Sequence, residues 1–183
     1  NFCDLDGIHY NVTGTVQCAT ISYDWVVDNF AKYESELQTI GDGDIFELIQ
    51  KMAEDSPVGS RGVFFLPYLM GERTPYWDEN TKGGFVGFTL FHSRKDLFRS
   101  VYEGIAYALK SVLDVFDENG LAIKGLNLIG GGAKSTLWNE IMCNVYNKPI
   151  SVHAHPGEAT SLGTAIAAGA GVGIFKDFSE AEK

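Results

Sequence analysis

The apolar positions change period along the chain, and each change predicts an element. Residues 2–12 read as a β-hairpin, with Asp6-Gly7 supplying the positive-φ turn between short strands. Val16, Ala19, Tyr23, Val26, Val27 and Phe30 then recur at helical spacing and predict a helix over 15–33. Ile45, Leu48, Ile49 and Met52 form the stripe of a helix over 44–54, with Asp42 or Asp44 as its cap. Val63-Phe64-Phe65-Leu66 is a short buried strand ended by Pro67, and Phe85–Leu90 predicts another. Between them, 71–84 is rich in charge and turn residues, and its length suggests a working loop.

Ser93 opens a long helix running to about Asn119, with Asp96 in its first turn. Leu97, Val101, Ile105, Ala108, Val112 and Phe116 (or Val115) line its inner face, and Gly120 terminates it. From there strand and helix alternate. Leu126–Ile129 is a strand, 130–133 a turn, 135–146 a helix with Leu137, Ile141 and Val145 inward, 149–153 a strand and 160–171 a helix. A hairpin followed by a β-α-β-α run implies an α/β domain with a mixed sheet flanked by helices, its later strands parallel.

Composition narrows the classes. With 183 residues, 45% apolar and 21% charged, the chain suits one soluble globular domain. A net charge of −10 argues against nucleic acid or an acidic membrane as the main partner, but not against a nucleotide held by backbone N–H groups. No apolar run approaches the roughly 20 residues of a membrane span. Cys3, Cys18 and Cys143 are odd in number and far apart, which fits reduced thiols in a cytoplasmic protein. Asn1 is not a Met and stands at the start of strand-like sequence, so a start further upstream is expected.

The sharpest candidate for chemistry is Leu128-Ile129-Gly130-Gly131-Gly132-Ala133-Lys134-Ser135, a strand entering three glycines and then a helix. Glycines let the backbone approach a ligand, and the helix start offers unpaired N–H groups. The run is not a Walker A loop, because Ala133 precedes Lys134, and it lacks the third glycine of a dinucleotide fingerprint, because Ser135 stands there. A tight turn without a ligand is the plainer alternative. The Gly/Ala face over 157–169 reads first as close packing. In the loop 67–78, Arg73 either holds a phosphate or carboxylate or pairs with Glu72 or Asp78, with Tyr76 and Trp77 as frames for a cleft. His153-x-His155 lacks a third metal ligand, and Glu103 reads as a structural or surface carboxylate.

Four of these stretches, in order, resemble the FGGY carbohydrate kinases. Gly83-Gly84-Phe85-Val86-Gly87-Phe88 followed by Asp96–Gly104 looks like that family's second signature. Leu66-Pro67-Tyr68-Leu69 with Gly71-Glu72-Arg73-Thr74-Pro75 is most like its xylulokinases. Ile129–Ser135 is similar to its nucleotide loop, and Gly157-Glu158-Ala159 with Leu162-Gly163-Thr164-Ala165 to its closing segment. The resemblance covers essentially the whole chain. It implies a ribonuclease-H-like, actin-like ATPase domain, incomplete at its N-terminus, with residues 1–183 as the C-terminal nucleotide-binding domain and the sugar-binding domain absent. It also implies ATP with Mg²⁺ as cofactors and a small-molecule sugar as the partner substrate, and it leaves room for a homodimer. Gly131, Gly132 and Ala133 would line the adenosine, with Ser135, Trp138 and Asn139 flanking the base. Thr20, where the family often has Gly, would lie near the phosphates, with Asp24 as a neighbour. No metal ligand and no catalytic residue is assigned in this chain, because the family's base aspartate lies before the opening hairpin. D-xylulose is the expected substrate; gluconate, ribulose or another polyol, or a nucleotide-binding module without sugar chemistry, are the alternatives.

Overall fold

The computed structural model describes residues 2–4, 8–38, 44–178 and 180. The opening hairpin pairs β1 (Phe2–Cys3) with β2 (Tyr10–Asn11) antiparallel, Cys3 opposite Tyr10; the Asp6-Gly7 turn lies outside the described residues. The expected helix over 15–33 starts late and breaks early, as α1 (Thr20–Phe30) and α2 (Lys32–Gln38) on either side of a buried Ala31. Its first residues are held by the 67–78 loop instead: the Thr15 N–H donates to Thr74 Oγ1 (3.2 Å) and the Gln17 N–H to Glu72 Oε1 (3.1 Å). Partners outside the segment have won over a helical ladder there.

Helix α3 (Ile45–Glu54) begins where the Asp44 carboxylate accepts from the Phe46 N–H at 2.9 Å. Ile49 and Ala53 face the core, while Leu48, expected inward, is exposed. Strands β3 (Phe64–Leu66) and β4 (Gly84–Val86) pair antiparallel, Phe65 opposite Phe85. Both are shorter and less buried than the apolar runs suggest: Phe65 is enclosed, but Phe64 and Leu66 point to solvent. Pro67, without an N–H to give, closes β3, and Gly87 at φ +100 closes β4.

The longest helix, α4 (Arg94–Glu118), occupies the centre and packs against α3, β3, α1 and the later α5. Its start is fixed by Asp96, whose Oδ2 accepts from the Ser93 N–H at 2.8 Å and the Ser93 hydroxyl at 3.1 Å. Gly120, at φ +77, ends it, and the Leu121 N–H reaches back to Phe116 O at 2.9 Å. Strands β5 (Leu126–Leu128) and β6 (Ile150–Val152) pair in parallel across α5 (Thr136–Tyr146), and α6 (Ala159–Gly171) follows. Antiparallel and parallel pairings thus both occur, as expected of a mixed sheet. Among the described residues, however, they form three separate two-stranded ladders and not one continuous sheet. The Gly/Ala face of α6, read as close-packed, is largely exposed, and Gly163 meets nothing within 4 Å; Gly169 alone is buried, under the Phe175 ring.

A left-handed segment is keyed onto α4. Gly59 (φ 80), Ser60 (φ 49), Arg61 (φ 54) and Gly62 (φ 95) all have positive φ, unfavourable for the two non-glycines. Glu103, buried on α4, holds the segment: Oε1 accepts from the Gly59 N–H (2.9 Å) and Oε2 from the Ser60 hydroxyl (2.8 Å). Arg99, one turn earlier and also buried, donates Nε to Glu103 Oε1 (2.8 Å) and Nη1 to Ser56 O (3.1 Å). Glu103 is therefore the structural carboxylate of the two readings. Glu103→Ala would leave Arg99 as an uncompensated buried charge and is expected to lower stability by about 3–5 kcal/mol. Urea unfolding measures it, and a loss below about 1 kcal/mol would contradict this role.

Candidate functional site

A cavity of about 570 Å³ opens between the start of α1, helix α3 and the segment joining β5 to α5. That segment is a single 3₁₀ turn, Gly131–Lys134, entered through Gly130 at φ +87 and ψ −179, a conformation open to glycine. Ser135 caps α5, its hydroxyl accepting from the Trp138 N–H at 3.1 Å while donating to Gln50 Oε1 on α3 at 2.8 Å. Gln50 Nε2 donates in turn to Thr136 Oγ1 (3.0 Å) and Glu54 Oε1 (2.9 Å), so one α3 side chain ties both walls together.

Of the residues expected at the site, Thr20, Gly131, Gly132, Ser135 and Trp138 line this cavity. Ala133 and Asn139 do not. Ala133 is buried behind the turn, and Asn139 Nδ2 donates to its carbonyl at 2.9 Å, so the pair supports the loop from behind. The two glycines differ in their surroundings. A Cβ on Gly131 would meet nothing within 4 Å, whereas one on Gly132 would stand 3.1 Å from Trp138 Cζ3.

The floor is aromatic. The Tyr23 ring stacks on Phe46 (5.7 Å, 26°) and lies 6.2 Å from Trp138 and 5.1 Å from Tyr102, which meets Trp138 edge to face at 5.6 Å. Asp24, Asp44 and Glu47 contribute carboxylates to the lining and Lys134 an ammonium. Burial pushes the Tyr102 phenol up to about 12, against the opposing pull of its hydrogen bond to Tyr23; burial, then Tyr102, raise Tyr23 as well. Both rings are neutral at physiological pH.

Sequence reasoning missed Tyr23, Phe46, Tyr102, Gln50 and Lys134 as lining residues. Tyr23 was visible only as one apolar step of a helical stripe, and Phe46 offered just the faint signal of an aromatic beside a cap. The 67–78 loop contributes nothing to the cavity. Arg73 is exposed, its guanidinium 5.4 Å from the Trp77 ring centre, and Glu72 secures the loop through the backbone N–H groups of Gln17 and Arg73, so of the two readings an Arg–acid pair is not what fixes it. His153 and His155 are exposed with rings 6.3 Å apart, and among the described residues no group of three His, Cys, Asp or Glu is placed to hold a metal. No helix among those residues is long and apolar enough to cross a membrane.

The parallel β5–α5–β6 unit with its glycine turn is that of an α/β domain, and the solved structures it resembles are sugar kinases of the actin-like ATPase fold. Comparison with known proteins gives the family. Residues 4–172 match the FGGY family of carbohydrate kinases, C-terminal domain, and the chain belongs to that family. It is 35% identical over 167 residues to a xylulose kinase of Staphylococcus epidermidis, covering 91% of this chain and 32% of that protein. It is 32% identical over 168 residues to a gluconokinase of Bacillus subtilis, covering 90% and 32%. Among solved structures it is similar to the ligand-bound xylulose kinase of Lactobacillus acidophilus, with a TM-score of 0.73 and 30% identity over 91% of this chain and 32% of that one. The chain spans about a third of the length of these relatives.

The two glycines give a paired test of the turn. Gly132→Val is expected to press on the Trp138 ring and lower stability by about 1–3 kcal/mol. Gly131→Ala, with open space around it, should stay within about 0.5 kcal/mol of the parent. Equal effects in urea unfolding would contradict the packing described.

Proposed function

We propose that residues 1–183 are the nucleotide-holding, C-terminal domain of a carbohydrate kinase that transfers the γ-phosphoryl of ATP to a hydroxyl of D-xylulose, giving D-xylulose 5-phosphate and ADP. One observation carries the reading: the glycine turn, the open backbone at Gly131 and the aromatic floor converge on a single cavity, inside the span that matches the kinase family. The adenosine of ATP occupies this cavity, with Gly131 and Gly132 as the wall that admits close approach, Trp138 and Tyr23 as apolar surface, and Ser135 holding the turn to α5. Ala133 and Asn139 keep the loop in shape, and Thr20, at the first residue of α1, faces the phosphates.

The sugar hydroxyl oxygen attacks the γ-phosphorus, the bond to the β–γ bridging oxygen breaks, and ADP leaves. The hydroxyl proton passes to an aspartate base that lies outside this chain. Such transfer depends on positioning and on neutralising phosphate charge, which is what Mg²⁺ supplies when bound. Mg²⁺ typically rides on substrate phosphates and waters with one or two carboxylates. The carboxylates in the lining suit that, without forming a protein cage. Lys134 adds a positive charge on the same turn.

Xylulose is preferred to gluconate because the Leu66–Pro75 wording and the 35% identical relative both point to it. The test is a phosphorylation screen of the whole kinase carrying this domain, across pentuloses, gluconate and glycerol. The expected result is ATP- and Mg²⁺-dependent ADP release highest with D-xylulose; a higher kcat/KM with gluconate or glycerol would reassign the substrate. The 183-residue chain alone is expected to show no turnover, and robust sugar phosphorylation by it would overturn the domain assignment.

A further inference from the structure

The side chains beneath the cavity form one continuous hydrogen-bonded chain, and its direction is fixed from one end. Gln50 Nε2 lies 2.9 Å from Glu54 Oε1, and a carboxylate only accepts, so the amide nitrogen faces Glu54 and the carbonyl faces Ser135. That carbonyl takes the Ser135 proton at 2.8 Å, which leaves the Ser135 oxygen as an acceptor. One of its lone pairs receives the Trp138 N–H at 3.1 Å. The other is open to Tyr102, whose phenol is raised by burial and held back by hydrogen bonding with Tyr23 and Ser135. With the Tyr102 proton given to Ser135, the Tyr23 proton goes to Tyr102, the two oxygens being 2.9 Å apart. Each hydroxyl from Tyr23 to Ser135 thus donates once, and no proton is left over.

The chain crosses four elements: Tyr23 stands on α1, Tyr102 on α4, Ser135 at the cap of α5 and Gln50 on α3. Its two ends belong to different walls of the cavity. Tyr23 carries the aromatic floor with Phe46, and Ser135 directly follows the glycine turn. Tyr102, 2% exposed on the helix that forms the centre of the fold, is the link between them. The spacing of such walls matters for a flat ring, because a gap of about 0.5–1 Å forfeits a quarter to a half of each dispersion contact. We propose that Tyr102 is a positioning residue for the nucleotide: bonded to Tyr23 on one side and to Ser135 on the other, it holds the glycine turn at contact distance from the aromatic floor. The inference rests on the nucleotide reading above and adds to it what sets the spacing of the site.

The test uses the whole kinase carrying this domain and reads the equilibrium Kd for ATP with Mg²⁺ beside the KM for the sugar. Tyr102→Phe keeps the ring and its packing but cuts both bonds. It is expected to raise the ATP Kd about three- to tenfold while the sugar KM stays within about twofold. Tyr23→Phe removes only the end of the chain and should cost about twofold at most. Ser135→Ala removes the next link, so adding Tyr102→Phe to it should cost little more. An unchanged ATP Kd in Tyr102→Phe, equal losses for ATP and sugar, or additive losses in the double variant would overturn the positioning role. Gly131→Leu separates that failure from failure of the nucleotide reading, because it fills the open space at the turn. If ATP binding survives Gly131→Leu, the nucleotide lies elsewhere and both readings fall. Should Tyr102→Phe not fold, Gln50→Leu at the half-buried end of the chain decides in its place. The same ATP-specific loss there supports the chain, and an unchanged ATP Kd overturns it.

Discussion

The arrangement depends on a buried ion pair. Arg99 and Glu103 sit one turn apart on α4 and are almost wholly removed from water, where an isolated charge is very costly. Each is satisfied by more than the other: Arg99 reaches Ser56 O, and Glu103 takes the Gly59 N–H and the Ser60 hydroxyl. Those contacts hold two non-glycine residues at positive φ. They also set the level at which β3 lies against α4, where Gly104 passes so close to Phe65 O that a Cβ there has no room. With α4 fixed in this way, Tyr102, the residue before Glu103, is set at the floor of the cavity.

The signals legible in the sequence were those that act over a few residues. The Ser93/Asp96 start of α4, Asp44 before α3 and Gly120 after α4 each work within about one helical turn, so reading the chain in order finds them. The glycine turn was visible too, and the order of four motifs led to the right family. What escaped depends on distant partners. Glu103 meets Ser60 across 43 positions, Tyr102 meets Tyr23 across 79, and Gln50 meets Ser135 across 85. No local pattern states those distances, so Tyr23 read as one step of an apolar stripe and Tyr102 only as part of the Asp96–Gly104 run. The misplaced start of α1 has the same origin, since Gln17 and Thr15 answer to Glu72 and Thr74.

The cavity is mixed in chemistry as well as in origin. Its aromatic side comes from α1, α3, α4 and α5, its backbone side from one turn, and its carboxylates from α1, α3 and the cap of α3. Glycine at 132 is favoured by a side chain of the same domain, the Trp138 ring, which a Cβ there would press by a few tenths of an ångström, whereas at 131 the space lies open towards whatever the cavity receives. Two adjacent glycines thus have different reasons to be glycine, one set by packing and one by access.

Gln50 links these parts in a further way. Because its amide completes the cap of α5 and also bonds Glu54 on its own helix, the end of α3 and the start of α5 form one cooperative unit. Fraying of either would release the other. The separation of the two cavity walls is thereby set in part by a single uncharged side chain.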